Sequence, residues 1–297
     1  MSTQTKQQAV EEILRGITIP SPPQIIVDLQ MEMASSDPDL NAMARLIAND
    51  AGLAGSILKT ANSPFYQTHG HVDSISKAVM FLGMNVVMNI VNTVCLRNAA
   101  LLGEQLSDAM LNAMSRFWDS ATDVAHAAVL VAQKLGIAPH DHVYSLGLFH
   151  NTGIPLMMLK HADYPQIMAQ AYAEPSRRLI DIENRQYNTN HAVLGFFVAR
   201  SWKLPKSLCE IIGRHHNTDI FNTQDGTEPE AKQLLAILKT AEHLAGLHTV
   251  LGDQKENQEW QRHGEDVLAV AGLSPYDYED VVQQAQELGL GGQQYFI

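Results

Sequence analysis

The sequence predicts an all-α protein. Apolar residues recur at helical spacing along nearly every segment, no stretch sustains the apolar and polar alternation of a half-buried strand, and helix-stopping or helix-capping residues punctuate the chain. In chain order, a first helix is expected within residues 1–15, in "QQAVEEILRG", stopping at Gly16. "ITIPSPPQIIVDLQMEMA" brings three prolines, of which Pro23 suits the first turn of a helix running to about Ala34. "SSDPDLNAMARLIAND" and "DAGLAGSILKTANSPFY" give two more, each opening at an Asp or Ser able to cap it. "VDSISKAVMFLG" follows.

The stretch "AVMFLGMNVVMNIVNTVCL", 78–96, is almost long enough to span a bilayer. Asn85, Asn89 and Asn92 fall at i, i+4 and i+7, which stacks them on one face of an amphipathic helix that Gly83 breaks early. A buried helix of a soluble protein is therefore expected here. A long helix from about Leu106 to Leu135 ends at Gly136, and "APHDHVYSLGLFHN" makes the next. "IPLMMLKHA", "YPQIMAQAYA", "RRLIDIENRQYN", "NHAVLGFFVARSWKLP" and "PKSLCEIIGRHHN" continue the helical series. Residues 217–230 read as a linker, "EAKQLLAILKTAEHLAGL" as a helix and "GDQKENQEW" as a charged loop. Ser274 caps a last helix with Pro275 in its first turn.

With 297 residues and 45% hydrophobic content the chain can build one large domain or two smaller ones. Its net charge of -12 and the absence of a Lys/Arg run argue against a nucleic-acid face or an anionic membrane surface. Cys95 and Cys209 lie inside apolar patterns and read as core residues of a reducing compartment. The start, "MSTQTKQQAVEEILRG", has no apolar signal-peptide core, so cytoplasmic residence is expected.

Thirteen histidines are many for this length. His69 and His71 flank Gly70, and His140 and His142 flank Asp141, so all four are expected on solvated surface. The informative set is His150 with Asn151, His191, the pair His215 and His216, and Glu242, each near a helix end or on an inward stripe. Helical bundles assemble sites from such separated segments, although any one of these histidines alone is more often a core or capping residue.

"GLFHN" with Gly153 two residues on, "HAVLGF", "WKLP" and the paired "HH" together resemble the HD superfamily of metal-dependent phosphohydrolases, which are helical. "IPSPP", "IANDAGLAGSILKTANSPFY", "VDSISKAVMFLG" and "RFWDSATDVA" are similar to the HDOD domain, a bacterial signalling relative. The resemblance covers about residues 16–245: an N-terminal helical half over 16–105 and a degenerate HD-like half over 106–245, packed as one domain. It leaves 246–297 as a helical extension. It implies that the first histidine ligand of the superfamily is replaced by Ser120, that the second is kept as His150, that its aspartate partner is replaced by Asn151, and that the final aspartate is replaced by Glu242.

Ser120 and Asn151 supply neither charge nor imidazole, so the resemblance implies a vestigial pocket of Ser120, His150, Asn151, His191, His215, His216 and Glu242, with no catalytic residue. No cofactor is expected. If a divalent Fe, Mn, Zn or Ni ion binds, His150, His191, His215, His216 and Glu242 are its candidate ligands, since His191, His215 and His216 match extra ligand positions of the HD-GYP branch. Adjacent His215 and His216 would point about 100° apart on a helix, allowing one to face the site well. The function this implies is a non-catalytic signalling domain that binds a protein partner and, in the old pocket, a small ligand. The alternative is a metal-dependent phosphohydrolase or cyclic-dinucleotide phosphodiesterase with a remodelled centre. Nucleic acid and membrane are not expected as partners, and a homodimer stays open.

Overall fold

The protein is all-α. A computed structural model describes residues 16–66, 71–101, 106–137, 140–221 and 226–291, and no strand occurs among them. The helix expected within 1–15, and His69, lie outside the described residues. The chain divides into two compact units, Pro20–Glu104 and Met1–Ile19 with Gln105–Ile297.

In the first unit, α1 (Gln24–Met33), α2 (Leu40–Ala48), α3 (Ala51–Ala61) and α4 (Ile75–Leu101) surround a core that includes Ile26, Leu29, Met43, Ile47, Ile57 and Val91. Local chemistry sets the boundaries. Asp39 caps α2 by accepting from Asn41 N, and Asp50 caps α3 by accepting from Gly52 N and Leu53 N. Pro23 takes the N-cap position, one residue before the first helical turn. Gly83 interrupts α4 at φ 79°, a conformation that costs glycine little and other residues much.

α4 is the one helix among the described residues long and apolar enough to cross a membrane. Its asparagines do not form a solvated stripe: Asn85 is exposed, but Asn89 and Asn92 are buried. Spacing put them on one face, but it could not say whether that face meets solvent.

The second unit is built on α5 (Asp108–Lys134), capped by Ser107 and buried along most of its length from Met114 to Ala132. Following it in sequence are α6 (His140–Phe149), α7 (Gly153–Lys160), α8 (Tyr164–Ala173), α9 (Leu179–Tyr187), α10 (His191–Ser201), α11 (Lys206–Arg214) and α12 (Pro229–Leu244). α13 (Leu247–Val250), α14 (Gln258–Ala271) and α15 (Pro275–Glu287) complete the unit. α5 touches α6, α12, α13 and α15, while α14 lies on α12. The side chains of His71 and His142 are exposed, as expected, although His142 lies within the first turn of α6 and not in a loop before it.

Two segments differ from expectation. Within 217–230, Thr218–Phe221 form a 3-10 turn with Thr218 and Ile220 buried, fixed by Lys232 Nζ donating to Ile220 O at 2.8 Å. The "charged loop" ends early: Asn257 caps α14 by accepting from Trp260 N, so Gln258, Glu259 and Trp260 are already helical.

Candidate functional site

Four histidines stand at helix ends, and each has its Nδ1 engaged away from the others. His150 follows the last residue of α6, and its Nδ1 donates to Gly147 O at 2.7 Å. His191 opens α10 behind the Asn190 cap. Its Nδ1 meets the Glu183 carboxylate at 2.8 and 2.9 Å, and its backbone N–H donates to the same carboxylate at 3.1 Å. His215, the C-cap of α11, donates from Nδ1 to Ile212 O at 2.7 Å. His216 Nδ1 donates to Glu259 Oε2 at 3.2 Å.

Carbonyls and ionised carboxylates only accept, so these partners keep the proton on Nδ1 and leave Nε2 as the lone-pair nitrogen of each neutral ring. The lone pairs converge. His191 Nε2 is 3.1 Å from His216 Nε2 and 3.3 Å from His215 Nε2, and the three nitrogens lie within 4.8 Å of one another. Asn151 Oδ1 faces His215 Nε2 at 3.2 Å. His150 Nε2 and Glu242 Oε1 have no hydrogen-bond partner and stand 3.5 Å apart. Acceptors crowded on acceptors repel unless a proton or a metal ion lies among them.

Charge around the group sharpens this. Glu183 is fully buried, and the neighbouring imidazole and hydrogen bonds outweigh its burial and hold its carboxyl below the usual range. Lys239, also buried, reaches Glu242 Oε2 at 2.9 Å and Glu259 Oε1 at 2.7 Å. Burial raises Glu242 to about 7 despite the ammonium, whereas Lys239 and His216 overcome burial at Glu259 and hold it low. Burial pushes His215 and His150 well below their ordinary value. With Glu183 and Glu259 held ionised and Glu242 raised to about 7, the carboxylates outnumber the one ammonium.

Burial pushes His126, His216 and His243 each down to about 4. In the unfolded chain they titrate near 6.5, so below that pH the unfolded state takes up protons the fold refuses, and stability falls. Glu242 opposes them: raised to about 7, it takes its proton in the fold first and gains stability between 7 and its ordinary 4.5. Three bases outweigh one acid, and His150 and His215, also lowered by burial, act on the same side. Urea denaturation of chelator-treated protein is expected to show a net loss of at least about 3 kcal/mol from pH 7 to pH 5. Equal or greater stability at pH 5 would contradict the neutral buried state of these rings.

Of the sequence-derived set, His150, Asn151, His191, His215, His216 and Glu242 come together, and Ser120 makes no hydrogen bond to them. Its hydroxyl is buried and donates to Phe117 O at 2.8 Å. His126, on the same helix, packs its ring 5.6 Å from Tyr144. The expectation that only one of His215 and His216 faces the site is corrected: the pair lies at and beyond the end of α11, and both Nε2 atoms reach His191 Nε2. Their ring centroids are 4.2 Å apart. Sequence reasoning missed Glu183, with its hydrogen bond from Tyr164, and also Lys239 and Glu259.

The helical bundle and its histidine cluster define an HD-like domain. A family model for the HDOD domain matches residues 19–218, two thirds of the chain, and the chain belongs to the HDOD family. Its fold is similar to an HDOD domain protein of unknown function from Geobacter sulfurreducens, at 22% identity and TM-score 0.71 with both chains fully covered. It is also similar to a Shewanella amazonensis protein put forward as a metal-dependent phosphohydrolase, at 19% identity and TM-score 0.64 over 97% of this chain and 99% of that one. A Marinobacter aquaeolei protein put forward as acting in signal transduction matches at 19% identity and TM-score 0.64, over 96% of this chain and 64% of that one. An uncharacterised Treponema pallidum protein is 25% identical over 73% of this chain, which spans about two fifths (41%) of that relative's length.

Proposed function

We propose that the chain is a non-catalytic regulatory domain that holds one divalent transition-metal ion on His191, His215 and His216 and acts by binding a signalling protein. The convergence of three lone-pair Nε2 atoms, each set by an Nδ1 hydrogen bond, carries the metal part. Carboxylate or carbonyl partners behind a ligating imidazole orient the ring and raise its basicity. His150 Nε2 and Glu242 Oε1, both lacking hydrogen-bond partners, are the adjoining donors. An ion bound here would supply positive charge and cross-link the ends of α10 and α11.

Against hydrolysis stands what the pocket lacks. Holding an ion and activating a water on it takes enough charged and imidazole donors. Ser120, whose hydroxyl donates to a backbone carbonyl, and Asn151, an amide, supply neither. The Marinobacter protein put forward in signal transduction fits this reading, and the Shewanella protein put forward as a phosphohydrolase fits the enzymatic alternative.

Metal analysis of protein purified without chelator tests the proposal, together with assays on cyclic di-GMP and bis(p-nitrophenyl) phosphate in added Mn or Fe. About one equivalent of metal, lost in His215→Ala, and no turnover are expected. Metal-dependent turnover abolished by His215→Ala would establish the enzyme instead, and failure of any first-row metal to bind would remove the ion.

Asn151 gives a graded check. Asn151→Asp adds a carboxylate to an already negative pocket, so the metal-free protein is expected to lose about 1–3 kcal/mol by urea denaturation. The double change Ser120→His with Asn151→Asp is expected to tighten Mn and Fe binding, read by titration, while turnover stays absent. A neutral single variant, or a double variant no tighter than wild type, contradicts the assignment.

A further inference from the structure

α14 lies beyond the matched family region, yet it completes the histidine cluster. Glu259, in its first turn, accepts from His216 Nδ1 through Oε2 at 3.2 Å and pairs with Lys239 Nζ through Oε1 at 2.7 Å. Lys239 also holds Glu242, so one carboxylate ties the helix both to a candidate ligand and to the ammonium beside another. The remaining attachment is to α12 and the 3-10 turn, with Trp260 also stacked on Tyr278 of α15. α14 buries Gly264, Val267 and Ala271, Trp260 stacks on His243 with centroids 4.3 Å apart, and Gln233 Nε2 donates to Ala271 O at 3.3 Å. A single helix can open locally at a free energy below that of global unfolding.

We propose that Glu259 is a positioning residue of the metal site, and that through it metal occupancy and the docking of α14 are coupled. This rests on the metal-binding reading above. When α14 is docked, Glu259 fixes His216 with its lone pair inward and gives Lys239 a partner. When α14 lifts away, His216 Nδ1 loses its acceptor, and Lys239 retains only Glu242 beside the ligands. Linkage then requires the reverse: an ion that binds the docked state more tightly stabilises docking by the same factor. The C-terminal helices thus report whether the histidines are loaded, and a lifted α14 uncovers the pocket face of Trp260, His263 and Val267.

The test uses the full chain with Co2+ as probe, its affinity measured by competition with a chromophoric chelator and its ligand geometry by visible absorption. Hydrogen exchange of residues 258–271 is followed with and without Co2+. Glu259→Ala is expected to weaken Co2+ by about 10–100-fold, Glu259→Asp to recover part of the loss, and Glu259→Gln to bind between Ala and wild type with an altered spectrum. Lys134→Gln, which removes the ion pairs to Asp277 and Asp280 of α15 without touching the histidines, is expected to keep wild-type affinity. In wild type, Co2+ is expected to slow exchange across 258–271.

Unchanged exchange in Co2+-loaded wild type overturns the coupling, and this arm needs no variant to fold. Equal affinity for wild type and a folded Glu259→Ala overturns the positioning role. Wild type that binds no Co2+ fails the metal-binding reading itself, and the coupling falls with it.

Discussion

Glu183→Ala is expected to destabilise the metal-free protein by roughly 3–5 kcal/mol and to lower its Tm by about 10 °C. Glu183 is fully buried on α9, where its two oxygens receive the Tyr164 hydroxyl, the His191 backbone N–H and the His191 Nδ1–H. Alanine leaves all three donors without their acceptor in a region closed to water, and opens a void the size of the lost side chain. Each stranded donor carries its own desolvation cost. Glu183→Gln keeps the shape and an accepting oxygen but puts an NH2 where one acceptor stood, so about 1–3 kcal/mol is expected. Denaturation in chelator separates this loss from any change in metal binding. A loss below about 1 kcal/mol for alanine would mean that water or a shifted neighbour replaces the carboxylate, and that Glu183 does not hold His191 in place.

Helix period and punctuation made the class of fold legible, because Ser107, Asp39, Asp50 and Ser274 act locally and their caps need nothing from elsewhere in the chain. Most of the site was legible for the same reason, since its histidines stand next to helix ends. The residues behind them were harder. Glu183 sits four residues after buried Leu179, and Lys239 sits four after buried Leu235. That spacing marks an inward face, but a charge on such a face is intelligible only once its partner on another helix is known. α14 escaped because its polar sequence includes Gly264. A Cβ there would meet the Trp260 indole at 2.9 Å, so the glycine makes room for the aromatic one turn back while weakening the helical signal. For Asn89 and Asn92, spacing gave a shared face but not its surroundings, and the structure buries both.

Gly153→Ala is expected to cost the fold about 3 kcal/mol or more and to weaken metal binding at the same time. A Cβ on Gly153 would stand 2.0 Å from His191 O, 2.8 Å from its carbonyl carbon and 2.9 Å from its Cα. All three atoms are backbone, so no rotamer change relieves the contact, and the starts of α7 and α10 must separate by more than 1 Å to restore ordinary van der Waals distance. His191 opens α10, so the displacement moves its imidazole relative to His215 and His216, and ligand geometry degrades with packing. Gly55→Ala is the matched control. It lies exposed in α3 with nothing within 4 Å of the added carbon, and the same methyl group is expected to leave the fold unchanged or up to about 1 kcal/mol more stable. Urea denaturation in chelator and a Co2+ titration of each variant decide the matter. A Gly153→Ala protein as stable as Gly55→Ala would show that α7 and α10 do not approach this closely. One that is destabilised but binds Co2+ at wild-type affinity would show that the histidine cluster does not depend on the register of these two helix starts.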